Sequence, residues 1–414
     1  MPHLVLHAAA IQAALDEAGR ANGVTQRKLS QADDGDLWIV DGTTGTGAVV
    51  QTTDQASRAP LVLTESKEPT PVAIGTGESA RWLHCTDGDG NPLAATVIPR
   101  EVDIFDRVRG IFETDVLRQK SVAIVGLGSG GSFVARELAK NGVGRFILVD
   151  HDRLEVGNIC RHECGLSDVG RLKVNAVGDL IRDRNPGAII EAIGARVEGT
   201  NITELGDRFA TVDVIICATD GRPSRLLVNR AAIKHKRFAI YGAVFRRAYG
   251  GQILTVIPGL TPCYQCFVNA LPEMARDREI SNVEAANAIA YSDRPVAIEP
   301  GLSTDLLPVG LMMAKIAILQ LLSDHPTTLD SLRRDLVAPL HLWINRREEG
   351  TDYEQLTPLE NDVGSMTILR WYGVHIARHK ACPACGDFEG ALLKRYSLAP
   401  ESLDLDWFGA KGKE

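Results

Sequence analysis

Gly126, Gly128 and Gly131 follow the β-branched run Ser121–Val125 at once and open a helical stretch, Ser132–Asn141. Their G-x-G-x-x-G spacing lets backbone N–H groups approach a phosphate closely, with the helix dipole favouring negative charge. Asp150 ends the next apolar run, Arg145–Val149, where an acid can accept ribose hydroxyls. That fingerprint establishes a nucleotide site and fits a dinucleotide oxidoreductase. A nicotinamide enzyme, however, needs only the single acid. Here Asp152, Asn158, Arg161 and Lys173 follow in order, a composition suited to a triphosphate and its metal, with cations to clamp phosphates and carboxylates for Mg²⁺. Asp220 ends a further run, Asp213–Thr219, at the carboxyl edge where such sheets bind ligands, and is a natural Mg²⁺ ligand.

Eight cysteines are present, and four form two C-x-x-C pairs, Cys263/Cys266 and Cys382/Cys385. Paired C-x-x-C units in a reducing compartment suggest metal ligation rather than disulfides. His375 and His379, four residues apart just before Cys382, offer a metal-ligand spacing but read as surface or packing residues. Cys85, Cys160 and Cys164 read as structural thiols.

The elements that must position these residues alternate strand and helix from Ser121 onward. A helix over Leu172–Arg184 precedes a strand at Ile189–Ile193, and a helix over Ser224–His235 precedes Phe238–Tyr241. The strand-like stretch Gln252–Ile257 leads into the first cysteine pair. This rhythm predicts an α/β fold with a Rossmann-like, mostly parallel sheet. Residues 1–100 differ: one apolar-periodic helix, Leu6–Ala18, and brief β runs at Leu37–Val40, Gly47–Val50, Ala59–Leu63 and Pro71–Ile74 predict a small α+β N-terminal module. The expected organisation is this module (1–100), a nucleotide-binding domain (101–395) and a tail (396–414).

With 414 residues, 44% apolar and 24% charged, the chain has the composition of a multi-domain globular protein. A formal net charge of −8 and no long basic stretch give no footprint for nucleic acid. The most apolar stretch, Val309–Leu322, carries Lys315 and reads as a core helix rather than a membrane span. The N-terminal residues show no basic leader or small-residue cleavage site. A cytoplasmic protein with protein or small-molecule partners is expected.

In order along the chain stand the glycine loop, D-x-D…N-x-x-R (Asp150, Asp152, Asn158, Arg161), G-x-x-K (Gly170 to Lys173), Cys217-Ala218-Thr219-Asp220, P-C-Y-x-C at Pro262–Cys266 and a late C-x-x-C. This series resembles the ubiquitin-activating enzyme superfamily, in particular the bacterial ThiF-type adenylyltransferases of molybdopterin and thiamin biosynthesis, from about Phe105 to Cys385. The resemblance implies an adenylation domain that uses ATP and Mg²⁺ to activate the C-terminal carboxylate of a small ubiquitin-like or sulfur-carrier protein, releasing pyrophosphate. By that resemblance Asp150 holds the ribose, Asn158, Arg161 and Lys173 contact the phosphates, and Asp220 binds Mg²⁺. Phe105-Asp106-Arg107 is similar to a family segment whose arginine reaches into the partner subunit's site, so a homodimer is implied, with a conjugating enzyme as a further partner. The four C-x-x-C thiols match a structural Zn²⁺ site of the closed, four-thiolate kind.

Two departures stand out. Ser129 replaces a glycine common in the family loop. The crossover segment 267–308, where many members carry a thioester-forming cysteine, has none between Phe267 and Pro308. The chain therefore stops at the acyl-adenylate, uses another thiol, or has lost a cysteine by substitution. An N-terminal module before Phe105 is suited to recognising a carrier protein, a conjugating enzyme or a peptide. The alternatives are adenylation of a ribosomal peptide C-terminus and, from a different class, a nucleotide-binding scaffold.

Overall fold

The first 104 residues of the computed structural model form a unit of their own, and residues 105–414 form a second. The structure describes residues 3–20, 24–31, 37–44, 47–51, 61–66, 72–74, 81–87, 89–98, 104–108, 112–271, 301–351, 353–356, 365–387 and 394. Residues 272–300 of the crossover segment and the tail 396–414 lie outside them.

The N-terminal unit contains β1 (His3–His7), α1 (Ala8–Arg20), β2 (Val24–Gln31), β3 (Leu37–Thr44), β4 (Gly47–Gln51), β5 (Leu61–Ser66), β6 (Val72–Ile74), β7 (Arg81–Asp87) and β8 (Ala94–Ile98). Its strands form one mixed sheet in the order β6-β7-β5-β4-β2-β3-β1-β8. Ile11, Ala14, Leu15 and Ala18 recur at helical spacing along α1 and are fully buried. Ile11, Ala14 and Leu15 pack with alternate strand residues such as Leu4 and Leu6, so one helix stripe meets one sheet face.

The second unit begins with α2 (Thr114–Leu117), β9 (Ser121–Val125), α3 (Ser129–Lys140), β10 (Arg145–Val149), α4 (Lys173–Arg184), β11 (Ile189–Ile193) and α5 (Ile202–Phe209). It continues with β12 (Val214–Cys217), α6 (Arg222–Lys234), β13 (Phe238–Val244), β14 (Gly250–Val256), α7 (Tyr264–Ala270), α8 (Ser303–Leu321), α9 (Asp330–Arg333), β15 (Leu340–Ile344) and β16 (Arg370–Val374). The sheet order is β11-β10-β9-β12-β13-β14-β15-β16. Pairings from β11 through β13 are parallel, and those from β13 through β16 are antiparallel. Alternation along β9 sends Val122 and Ile124 into a core with α3, α4 and α8, while Ala123 and Val125 face α5, α6 and α7. A sheet covered on both faces explains why its parallel strands are continuous apolar runs.

Helix α8 is longer than its apolar stretch predicts. It starts at Ser303 and carries Pro308 inside. By length and composition it would suffice to cross a membrane. Its Val309, Met313, Ala317 and Leu321 are buried in the sheet's core, as a core helix requires.

Candidate nucleotide site and four-cysteine knuckle

The chain crosses from β10 and β11 on one side of β9 to β12 on the other, which makes the carboxyl ends of β9 and β12 a topological switch point, the usual ligand crevice of such sheets. The glycine loop occupies it. Gly126 has φ +88°, and a Cβ there would meet the Ala218 carbonyl and the Thr219 nitrogen at 2.8 Å. A Cβ on Gly131 would lie 1.9 Å from the Gly126 oxygen. Both glycines are demanded by the fold. Gly128 is different, since a Cβ there would meet nothing within 4 Å. Gly128 caps α3, so this open backbone lies at the helix terminus where an anion is favoured. Ser129 is the first residue of α3 and strains nothing.

Asp150 is buried and locked. Its Oδ2 accepts the Leu127 N–H at 2.6 Å and its Oδ1 accepts the Asp152 N–H at 2.8 Å. The loop and the acid are thereby one rigid piece. Lys173, first residue of α4 and 8% exposed, donates from Nζ to Asp152 Oδ2 at 2.9 Å. Desolvation acts to raise the Asp152 carboxyl, but the hydrogen bond and charge of Lys173, with His151 and Arg196, hold it below its ordinary 3.8. A carboxyl depressed in this way stabilises the fold above about pH 4 and loses that contribution as pH falls through its folded value.

Asn158 Oδ1 accepts the Glu155 N–H at 3.1 Å and so shapes the turn that precedes Arg161. Arg161 is half-buried, and its guanidinium has no hydrogen bond or ion pair among the described residues. Asp220 is exposed just beyond β12, and its carboxylate likewise has no partner among the described residues. An unengaged hard oxygen beside a phosphate-type loop fits a divalent cation. The Gly126 contact with Ala218 and Thr219 brings the Asp220 segment against the glycine loop.

One site residue escapes sequence reasoning. His162 is buried, accepts the Cys164 N–H at Nδ1 (3.0 Å) and therefore donates from Nε2 to the Leu127 carbonyl at 2.8 Å. Burial holds its pKa below the ordinary value, in keeping with a neutral ring. With Asp150 on the Leu127 N–H and His162 near its carbonyl, the loop is gripped on both sides. His162→Leu leaves a buried carbonyl unpaired and is expected to weaken ATP binding roughly tenfold by titration calorimetry, with His162→Gln intermediate. Its only signal in the sequence is adjacency to Arg161.

The four C-x-x-C cysteines converge although the pairs are 119 residues apart. Sγ separations are 3.9 Å for Cys263–Cys266, 3.7 Å for Cys263–Cys382 and 3.4 Å for Cys266–Cys385. None is in a disulfide. A tetrahedron with Zn–S near 2.3 Å has edges of about 3.8 Å, so the donor set fits zinc. Burial raises the Cys266 thiol to about 11, a cost that thiolate coordination would offset. The His379 N–H donates to Cys266 Sγ at 3.4 Å, while the rings of His375 and His379 belong to exposed residues. One zinc per chain is expected by elemental analysis, and Cys382→Ser should abolish it and lower the unfolding midpoint by roughly 5–10 °C.

The ThiF family profile matches residues 101–340, more than half of the chain and all of the nucleotide crevice. The chain belongs to the ThiF family. It is 30% identical over 192 residues to ubiquitin-like modifier-activating enzyme 5 of Caenorhabditis elegans, covering 43% of each chain. It is 33% identical over 159 residues to SAMP-activating enzyme E1 of Haloferax volcanii, covering 38% of this chain and 56% of that one. The chain thus spans about half the length of the curated relatives it matches. Among solved structures it is similar to E. coli MccB with succinimide, with a TM-score of 0.49 and 18% identity over 70% of this chain and 77% of that one.

Arg107 of this ThiF-family chain sits in the turn Asp106–Val108 and is exposed. Phe105 beside it is buried near Gly142, just past the C-terminal end of α3. The glycine loop is at the other end of that helix, about 18 Å away. Arg107 therefore lies away from the glycine loop of its own chain. Burial raises Cys85 and Cys164 to about 12, so neither is a ready thiolate; Cys160 is exposed.

Proposed function

We propose that this protein adenylates the C-terminal carboxylate of a small ubiquitin-like or sulfur-carrier protein, using ATP and Mg²⁺. The observation that carries this reading is the crevice itself. A glycine loop tied to Asp150 and the Lys173–Asp152 pair stand at one sheet edge, with the Ala218–Thr219 segment that precedes Asp220 against the loop, and Arg161 and Asp220, without partners among the described residues, support the assignment. The names of the relatives, a ubiquitin-like modifier-activating enzyme and a SAMP-activating enzyme, support the same chemistry.

In the reaction an ionised carboxylate oxygen attacks the α-phosphorus, the new O–P bond forms, and the bond to the β-phosphate bridge breaks with pyrophosphate as leaving group. No protein base is required, because the nucleophile is already deprotonated. The chain's work is electrostatic. Gly128 and the start of α3 offer backbone N–H groups to the phosphates, Asp150 carries its charge toward the ribose, and Arg161 and Lys173 meet charge that grows on the departing oxygens. Asn158 is assigned to the phosphates with them, its Oδ1 holding the turn that precedes Arg161. Mg²⁺ held by Asp220 would neutralise the triphosphate. Asp152 keeps Lys173 in place until phosphate competes for it. Zinc at the four cysteines would be structural, and its reduced thiols suit the cytoplasm.

The reaction class is tested by its nucleotide products. Incubation with a cognate carrier should yield AMP and pyrophosphate; ADP and phosphate would instead indicate γ-phosphoryl transfer. Arg107 is assigned to the partner's site in a homodimer. Arg107→Ala should abolish turnover, and mixing it with Asp220→Ala should restore about a quarter of wild-type activity, since half the dimers carry one intact site. Absence of rescue removes the trans-acting arginine. A conjugating enzyme would be the downstream partner, and the N-terminal unit is a candidate surface for recruiting it or the carrier.

A further inference from the structure

Helix α6 begins two residues after Asp220, and its buried face carries two polar side chains one turn apart, Arg225 (6% exposed) and Asn229 (1% exposed). Burying an arginine is costly unless its donors are used. Here they are spent on three separate elements. Arg225 Nε donates to the Thr219 carbonyl at 2.9 Å, Nη2 to the Gly242 carbonyl on β13 at 3.4 Å, and Nη1 to the Tyr264 hydroxyl on α7 at 3.5 Å. Thr219 immediately precedes Asp220, and Tyr264 lies inside the first C-x-x-C pair. Asn229 adds a second tie, because its Oδ1 accepts the Tyr264 N–H at 2.9 Å. The Tyr264 ring is held against Tyr241, centroids 5.0 Å apart. On the other side of the joint, Ser224 Oγ donates to Thr219 Oγ1 or the Gly221 carbonyl, both at 2.8 Å.

We infer that α6 is a strut through which the four-cysteine knuckle sets the position of Asp220, with Arg225 as its positioning residue. Tyr264 is fixed when Cys263 and Cys266 are fixed. Its hydroxyl and backbone then fix Arg225 and Asn229, and the planar guanidinium holds the peptide that aims Asp220. A lysine could serve only one of these directions at a time, which is why the position needs an arginine. The knuckle is thus more than a staple for the C-terminal segment. This inference rests on the assignment of Asp220 as the metal ligand of the ATP site.

The test uses Mn²⁺ as the probe and reads its binding to the full-length protein with ATP by electron paramagnetic resonance, without turnover. Arg225→Lys should weaken Mn²⁺ binding about tenfold, as loss of an outer-shell partner does. ATP affinity without divalent metal and zinc content should stay at wild-type values. Wild-type protein stripped of zinc but folded by circular dichroism should show the same loss, and stripping Arg225→Lys should add little to it, the signature of one shared path. Tyr264→Phe removes a single oxygen and should shift Mn²⁺ binding in the same direction. If Arg225→Lys does not fold, that variant and the stripped wild type decide the matter. Zinc-free, folded protein with unaltered Mn²⁺ binding overturns the strut, as does an Arg225→Lys protein that loses thermal stability alone. Wild-type protein binding Mn²⁺ no better than Asp220→Ala overturns it too, together with the metal assignment. Normal Mn²⁺ binding without pyrophosphate exchange overturns only the adenylation reading.

Discussion

Asp220→Ala is expected to reduce adenylate formation on the order of 10³-fold while the fold and zinc content stay intact. The size of the effect follows from position. Asp220 stands at the carboxyl end of β12, beside the glycine loop, with its carboxylate exposed and unengaged among the described residues. A side chain with no partner among the described residues can be removed at a structural cost of only the few tenths to about 1 kcal/mol owed to its place near the start of α6. Circular dichroism and elemental analysis should therefore match wild type. Near-normal turnover in this variant would sink the magnesium assignment.

The second large effect separates two glycines of one motif. Gly131→Ala places a Cβ 1.9 Å from the Gly126 oxygen, a backbone atom that cannot swing aside. The first turn of α3 must leave the loop, and the loop is tied to β10 by Gly126 N–H to Val149 O at 2.8 Å and to Asp150 through Leu127. A cost of roughly 3 kcal/mol or more is expected, with loss of ATP binding and a lowered unfolding midpoint. Gly128→Ala meets open space and keeps φ near −70°. It should fold normally and still lose ATP, because the methyl group stands where the phosphate approaches. Equal thermal stability of the Gly131→Ala variant and wild type would contradict the packing account; unaltered ATP affinity in Gly128→Ala would contradict the phosphate site.

Much of the nucleotide-binding unit is legible in the sequence. Runs such as Ser121–Val125, Arg145–Val149 and Ile189–Ile193 coincide with β9, β10 and β11, because buried parallel strands leave an unbroken apolar signature. Helix ends were less so. α3 begins at Ser129, three residues before its apolar stretch, since the glycine spacing sets the turn and the helix continues it. In the N-terminal unit β1, β2, β7 and β8 have no clear signature in the sequence, for strands such as Arg81–Asp87 mix polar and apolar residues with no clean period. Convergence of Cys263 with Cys382 followed from motif order rather than from any local rule. His162 and Arg225 were invisible for a plain reason. Each acts by gripping a backbone carbonyl, Leu127 or Thr219, and a carbonyl has no sequence identity to match.

ATP–pyrophosphate exchange with purified protein, alone and with ubiquitin-like proteins or short peptides bearing free C-termini, tests carboxylate adenylation most directly. Exchange should be absent with protein alone, appear with a ubiquitin-like carrier, and disappear when that carrier's C-terminus is amidated. Exchange confined to peptides would move the substrate to a ribosomal peptide. Tight ATP binding with no exchange in any mixture would rule out carboxylate adenylation and make the chain a nucleotide-binding scaffold.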